Sequence, residues 1–483
     1  MRKRVLLAAA ALTTGLLTAL PAGTASAEPA GYRGDFNGDN YLDLVIAAPT
    51  AKVGGKSGAG YVAVVYGSPS GLRTDRRQII SQATPGVPGT PETSDYFGDR
   101  LTTGDLDGDL NTDVIVGVHG EQTGSDGESG VITVLWGNDA GTTWKASNLT
   151  APLPANRNEL GWDVATGDFD GDGHLDLAAV NLASPELNIF RGPFTRNGTS
   201  VTAASRIGID TYEQTGVNAD KLVTGEVNGD GRTDLLVMGQ EETSTGDYRT
   251  RSVLYTGSAT GPVAGKKLAG GYDAAIADVD KDGHGDIVTG NFMEKSATEP
   301  NGGTGGAITV TYGAAGGLST RTPVRITQDT AGVPGSAEKG DAFGWSLDAG
   351  DTNGDGYADI AVGVPQESLG SRTHAGSVVV LRGSASGLTG SGAKSFSQDT
   401  SGVPGGAESR DYFGDTVLLA DNSRDGRDEL TVGARGENGG AGAVWSLRGS
   451  AGGITATGAK SFSGTTLGGP SGLSYFGNGL ASD

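Results

Sequence analysis

Asp168-Phe169-Asp170-Gly171-Asp172-Gly173-His174-Leu175-Asp176 runs directly into the apolar segment Leu177-Ala178-Ala179-Val180. Carboxylates at positions 1, 3, 5 and 9 of such a loop converge on one point when the backbone curls. Gly173 at position 6 supplies the sharp turn, and the carbonyl of His174 at position 7 adds another oxygen. Hard oxygen ligands in that number suit Ca²⁺. Asp and Gly are also ordinary turn residues, so one copy alone means little. The chain repeats the pattern seven times.

The other copies carry their oxygen ligands, with the residue at position 7, as follows. The first holds Asp35, Asn37, Asp39, Tyr41 and Asp43, and the second Asp105, Asp107, Asp109, Asn111 and Asp113. The fourth holds Glu226, Asn228, Asp230, Arg232 and Asp234, and the fifth Asp278, Asp280, Asp282, His284 and Asp286. The sixth holds Asp351, Asn353, Asp355, Tyr357 and Asp359, and the seventh Asp421, Ser423, Asp425, Arg427 and Glu429. Position 7 varies freely, as expected where only its backbone is used. An EF-hand would place a bidentate Glu at position 12 between two helices. Here position 12 is Ile46, Val116, Ala179, Val237, Thr289, Val362 and Val432, inside short β-branched runs that read as strands. The EF-hand is excluded. The third and fifth loops, with four Asp and Gly at position 6, have the fullest ligand sets. Leu110 at position 6 of the second faces a costly positive φ, and Ser423 makes the seventh the poorest.

Successive loops start 70, 63, 58, 52, 73 and 70 residues apart, the signature of a repeat architecture. Each period reads as four strands. The second follows the loop (Asp359 to Val364), and the third follows a Gly-rich bend (Gly376 to Gly383, Gly130 to Gly137, Gly60 to Gly67). The fourth is short (Val324 to Gln328, Lys394 to Gln398), and the first leads into the next loop (Tyr96 to Thr103). Seven such repeats predict an all-β, seven-bladed β-propeller of four-stranded antiparallel blades over residues 28–483. The first blade lacks its own first strand. Ser474 to Asp483 match Asp95 to Gly104, so the C-terminal strand is expected to close the ring and remove the free edges.

Residues 1–27 read as an export signal: Arg2-Lys3-Arg4, an apolar stretch from Val5 to Leu20, and Ala25-Ser26-Ala27 before Glu28. No other stretch is a candidate membrane span. The expectation is a secreted, extracellular, monomeric protein. With no Cys and a net charge of −22, it needs a brace other than disulfides, and up to seven Ca²⁺ ions would serve. The acidity excludes nucleic acid as a partner and argues against anionic membrane surfaces.

Phe97-Gly98, Phe343-Gly344, Phe413-Gly414 and Phe476-Gly477, the Asp-rich loops, and Val362-Gly363-Val364-Pro365 resemble FG-GAP repeats, the blades of the integrin α-subunit propeller and of many secreted bacterial proteins. The third, fourth and fifth blades depart from the pattern with Leu160-Gly161-Trp162, Ala219-Asp220 and Gly271-Tyr272. The resemblance implies partner or ligand binding on one face of the disc.

Chemistry beyond metal binding is scarce. His119, His174, His284 and His374 are too scattered for a catalytic or zinc constellation, and no residue reads as catalytic. Gly55-Lys56-Ser57 lacks the first Gly of a phosphate loop, since Thr50 stands there, and reads as a hairpin. Arg33-Gly34-Asp35 spells an adhesion tripeptide, yet Asp35 is the first ligand of a metal loop. Trp136, Trp162, Trp345 and Trp445 read as core. All metal loops are turns between first and second strands. The long variable segments 51–60, 84–95, 121–130, 294–306, 330–341, 367–376 and 400–411 therefore fall on the opposite face, where loops on a rigid scaffold carry function. The leading expectation is a non-enzymatic binding or adhesion scaffold for protein or surface polymer, its ligand residues unknown. The alternatives are a carbohydrate-binding propeller and, third, a polysaccharide-active enzyme using the central channel.

Overall fold

The computed structural model describes residues 34–122, 130–138, 144–149, 159–182, 186–196, 203–208, 218–242 and 246–482. The export-signal segment 1–27, Arg33 and residues 123–129 of one long bend lie outside the described residues. Second strands are the least ambiguous elements. Leu44–Ala48, Asp113–Val118, Asp176–Asn181, Asp286–Asn291, Asp359–Val364 and Glu429–Ala434 are each buried along their whole length. A strand sandwiched between two neighbouring blades is apolar on both faces, so it reads as a continuous run instead of an alternation.

Seven four-stranded antiparallel sheets result. In the second blade the order is Arg100–Gly104, Asp113–Val118, Val131–Trp136 and Lys145–Leu149, and the other complete blades repeat this meander. The first blade takes Leu480–Ala481 as its innermost strand, with Val45 opposite Ala481 and Ile46 opposite Leu480. The C-terminus thus closes the ring as expected. One four-residue helix, Glu437–Gly440, occurs among the described residues.

The core is divided among the seams between blades. Seven apolar clusters lie one to each pair of neighbouring blades. Phe97, Phe343, Phe413 and Phe476 are each fully buried in a seam. The Gly after each has φ between +88° and +94°, and a Cβ on Gly98 would stand 2.7 Å from Val62 Cγ1. Only glycine combines that backbone with that closeness. Where the motif departs, Leu160 and Ala219 fill the equivalent space at 3% and 1% exposure. Gly55-Lys56-Ser57 lies in a tight turn in which Val53 and Lys56 exchange backbone hydrogen bonds at 3.1 and 2.9 Å, so it is a hairpin.

Candidate metal centres

Each Asp-rich loop is wound by two residues of positive φ. Position 6 takes φ between +68° and +91° in all seven, Leu110 included at +73° and Asn40 at +68°. Position 4 is Gly except for Lys281 and Arg424, which are also left-handed. In six loops the carboxylate at position 1 accepts the N–H groups of positions 5 and 6, as Asp278 does from Asp282 at 3.1 Å and Gly283 at 2.8 Å; in the fourth, Glu226 accepts the N–H of Gly231 while Asp230 donates its own to Asn228. Position 7 donates its N–H to the carboxylate at position 5, for example His174 to Asp172 at 2.9 Å, and the His174 side chain is exposed.

Position 9 is buried and tied to the scaffold. Asp43 accepts Phe36 N–H at 3.0 Å and Gly67 N–H at 2.8 Å. Asp113 and Asp286 repeat the pair of contacts through Leu106 and Gly137, and through Val279 and Gly313. Burial pushes Asp176 and Asp286 up to about 7, Asp234 to about 6 and Glu429 to about 7. A neighbouring cation would oppose that shift.

Position 3 divides the loops into two kinds. Where it is Asp, three carboxylates gather with oxygens within 4.8 Å of one another: Asp105, Asp107 and Asp113; Asp168, Asp170 and Asp172; Asp278, Asp280 and Asp282. Asp280 Oδ1 is buried there without a hydrogen-bond partner. These sets fit a hard divalent ion. Each also draws an arginine: Arg196 to Asp107 and Asp109, Arg191 to Asp170 at 3.1 Å, and Arg321 to Asp280 at 3.0 Å. Where position 3 is Asn, its amide donates to position 9 instead. Asn37 reaches Asp43 at 2.9 Å, Asn228 reaches Asp234 at 3.1 Å and Asn353 reaches Asp359 at 3.3 Å. In the seventh loop Ser423 donates its N–H to Glu429 Oε2 at 3.1 Å, and its hydroxyl lies 3.5 Å from Asp421 Oδ1.

The loops are linked to one another in a way that the sequence did not announce. The N–H of position 8 donates to the carbonyl of position 1 in the preceding loop: Thr112 to Asp35 at 2.9 Å, Thr233 to Asp168 at 2.9 Å, Gly285 to Glu226 at 2.7 Å, Ala358 to Asp278 at 3.1 Å and Asp428 to Asp351 at 3.0 Å. Phe36, Leu106, Phe169, Val227 and Val279 at position 2 are buried in the seams. One face of the disc is thus a belt of interlocked acidic turns.

On the opposite face the first strands open a central cavity of about 630 Å³. Its lining includes Arg100, Asp163, Lys221, Asp273, Trp345 and Arg435. Asp163 and Asp273 accept the Leu222 and Leu347 N–H groups of the next blade at 2.7 and 2.9 Å, and Lys221 lies 3.4 Å from Asp273. Burial pushes Asp415 up to about 6 although Arg435 lies 3.2 Å away. Aromatic side chains crowd this mouth. Tyr272 and Trp345 flank Phe292 with ring centroids 4.4 and 4.5 Å apart, and His119 stacks on Tyr96 at 5.3 Å and meets Trp162 edge-on at 5.1 Å. Trp136 and Trp445 are core as expected. Trp345 is instead half-buried in the cavity lining, just ahead of the strand Leu347–Gly350, whereas Trp162 is half-buried against the apolar seam between the third and fourth blades.

Fold and loops together define a seven-bladed propeller with acidic turns on one face. Comparison with known families makes that more specific. An FG-GAP repeat model matches residues 33–65 and 343–381, and an FG-GAP-like repeat model matches residues 105–179. The protein is a propeller carrying FG-GAP repeats. It is similar to the phosphatidylinositol-glycan-specific phospholipase D of Rattus norvegicus, 30% identical over 151 residues, which cover 31% of this chain and 18% of that protein. The Mus musculus phospholipase D of the same name is 28% identical over 233 residues, 47% of this chain and 25% of that protein. Integrin alpha-6 of Homo sapiens is 36% identical over 120 residues, 24% of this chain and 9% of that protein. The matched region spans a quarter or less of each of these relatives.

Proposed function

We propose that this protein is a secreted, calcium-braced, non-enzymatic binding scaffold that engages a protein or surface polymer through the face opposite the Asp-rich loops. The observation that carries the reading is the division of labour between the two faces. One is a belt of carboxylate turns hydrogen-bonded from blade to blade. The other combines long connections with a channel mouth lined by half-buried aromatics. Asp105, Asp107 and Asp113, Asp168, Asp170 and Asp172, and Asp278, Asp280 and Asp282 would hold Ca²⁺, with the other four loops as further sites. The ion supplies cross-linking charge to turns that otherwise repel themselves.

The relatives point both ways, since one kind is named as a phospholipase and the other as an integrin subunit. Glycan binding is favoured as a second reading by the aromatic side chains at the mouth, which suit stacking on sugar rings. The test is capture of surface proteins and a glycan array, each run with the protein and with Trp345→Ala. Retention of a ligand by the protein and its loss in the variant supports the reading. Turnover of a polysaccharide or lipid substrate would overturn it.

A further inference from the structure

Six side chains on the face away from the Asp-rich loops form one unbroken row across the fifth, sixth and seventh blades. Tyr272 meets Phe292 with ring centroids 4.4 Å apart, and Phe292 meets Trp345 at 4.5 Å. The Arg435 guanidinium follows, 5.7 Å from the Trp345 ring and 5.2 Å from that of Tyr412, and His374 ends the row 5.8 Å from Tyr412. Tyr272, Phe292, Trp345 and Arg435 belong to the cavity lining, so the row starts in the channel and runs outward over the rim. All six are half-buried. Tyr272, Phe292, Trp345 and Tyr412 belong to none of the apolar clusters in the seams. Rings that touch one another outside the core and stay open to water mark an interaction surface.

The repeat itself shows that the scaffold does not require them. Trp345 directly follows Phe343-Gly344, where Asp99, Asp415 and Asn478 follow the other Phe-Gly pairs. Phe292 and Arg435 directly follow the second strands Asp286–Asn291 and Glu429–Ala434, where Pro49 and Pro365 follow Leu44–Ala48 and Asp359–Val364. His374 departs at a cost. Its carbonyl accepts the Tyr412 N–H at 3.2 Å, as Gly58 accepts from Tyr96 at 2.8 Å and Gly440 from Tyr475 at 3.1 Å. All three residues stand at positive φ, His374 at +55°. Glycine adopts that backbone freely and histidine does not. A strained histidine in a place that glycine fills twice is held there for its ring.

The chemistry of the row selects its ligand. Six aspartates and three basic residues line the cavity, a balance that repels polyanions. The place of a ligand cation between Trp345 and Tyr412 is taken by Arg435, itself 3.2 Å from Asp415. What the row offers is aromatic faces and edges, with the polar tips of Tyr, Trp and His beside them. The six stand in single file, unlike the compact cluster that anchors a protein interface. A file that runs past the rim suits a chain of rings over a single sugar.

We propose, on the reading that this is the binding face, that the row from Tyr272 to His374 is a track for an uncharged polysaccharide. The apolar faces of its sugar rings stack on the row, and its hydroxyls meet the polar tips and the carboxylates of the mouth. The residues that depart from the repeat in the fifth, sixth and seventh blades thereby share one task.

The experiment is affinity electrophoresis of the full chain through gels containing hydroxyethylcellulose, laminarin or soluble starch, with alginate as the anionic counterpart. It compares the protein with Trp345→Asn, His374→Gly and Tyr475→Ala. The first two install residues that the repeat itself uses at those places, Asn478 and Gly440, so the fold is retained, and melting curves check it. Tyr475 shares the turn of Tyr412, at φ +47°, but lies outside the row. Retardation by a neutral polymer and none by alginate is the expected result. The dissociation constant should rise about tenfold or more in Trp345→Asn and by less in His374→Gly, and stay unchanged in Tyr475→Ala. His374→Gly should melt no lower than the parent, which separates a binding role from a structural one. No retardation in any gel, retardation by alginate alone, or equal retardation of the parent and the two row variants would overturn the proposal. Capture of a surface protein that Trp345→Asn loses, with no polysaccharide retained, would also overturn it while leaving this face as the binding face.

Discussion

Asp280 and Asn353 occupy the same position in neighbouring blades and leave their loops in different electrostatic states. Asp280 crowds two further carboxylates, whereas Asn353 satisfies Asp359 through its own amide. Asn353→Asp should therefore lower the melting temperature in chelator and recover the loss in 1 mM Ca²⁺, a crossover that calorimetry would read directly. Asp172→Ala should cost about 1–2 kcal/mol in calcium, and Ser423→Ala less than half of that, in denaturant titrations of the two variants. Asp415 gives a pH signature. Its folded value of about 6 stands above the ordinary aspartate value of about 3.9 because burial outweighs Arg435. The fold thus favours the protonated form, and this contribution to stability is present below the unfolded value and lost as pH rises toward 6. Asp415→Asn should flatten that loss, so relative to the parent it gains as pH rises from 4 to 7, by a few kcal/mol at most, about 1.4 kcal/mol per unit. A parallel pH dependence of parent and variant would show that the carboxyl titrates normally.

At the scale of the element, second and third strands were legible because a strand buried on both faces must be apolar throughout. Asp359 to Val364 was read with its final boundaries. Phe-Gly corners were legible where both residues are present. Leu160 and Ala219 do the same work with less volume, which a motif does not register but a seam tolerates. Trp345 departs from the core reading because it lies just ahead of its first strand, where ring closure turns it toward the channel. The links from position 8 to position 1 were illegible, since they join backbone groups more than 50 residues apart. Seam packing is testable in one residue. Phe413, buried and edge-on to Trp445 at 5.3 Å, should cost about 3–5 kcal/mol on truncation to Ala, measured by urea unfolding.

For the whole molecule, ring closure and the calcium proposed for the acidic belt would be two ways of holding the same ring. The first strands of neighbouring blades touch in succession around the axis, and Leu480–Ala481 completes the circuit between the seventh and second blades. Removing residues 478–483 should expose the edge of Leu44–Ala48 and make the chain self-associate more than the parent, seen by light scattering. Unchanged association and unchanged melting would show that the last strand contributes little. On that proposal, a site of ~0.1 mM affinity in ~1 mM Ca²⁺ would add about 1.4 kcal/mol.

Differential scanning calorimetry of the protein in 1 mM Ca²⁺ and in excess chelator tests that claim most directly. The acidic belt predicts a melting temperature lower by many degrees in chelator, restored by added calcium. Superimposable transitions in the two buffers would contradict it.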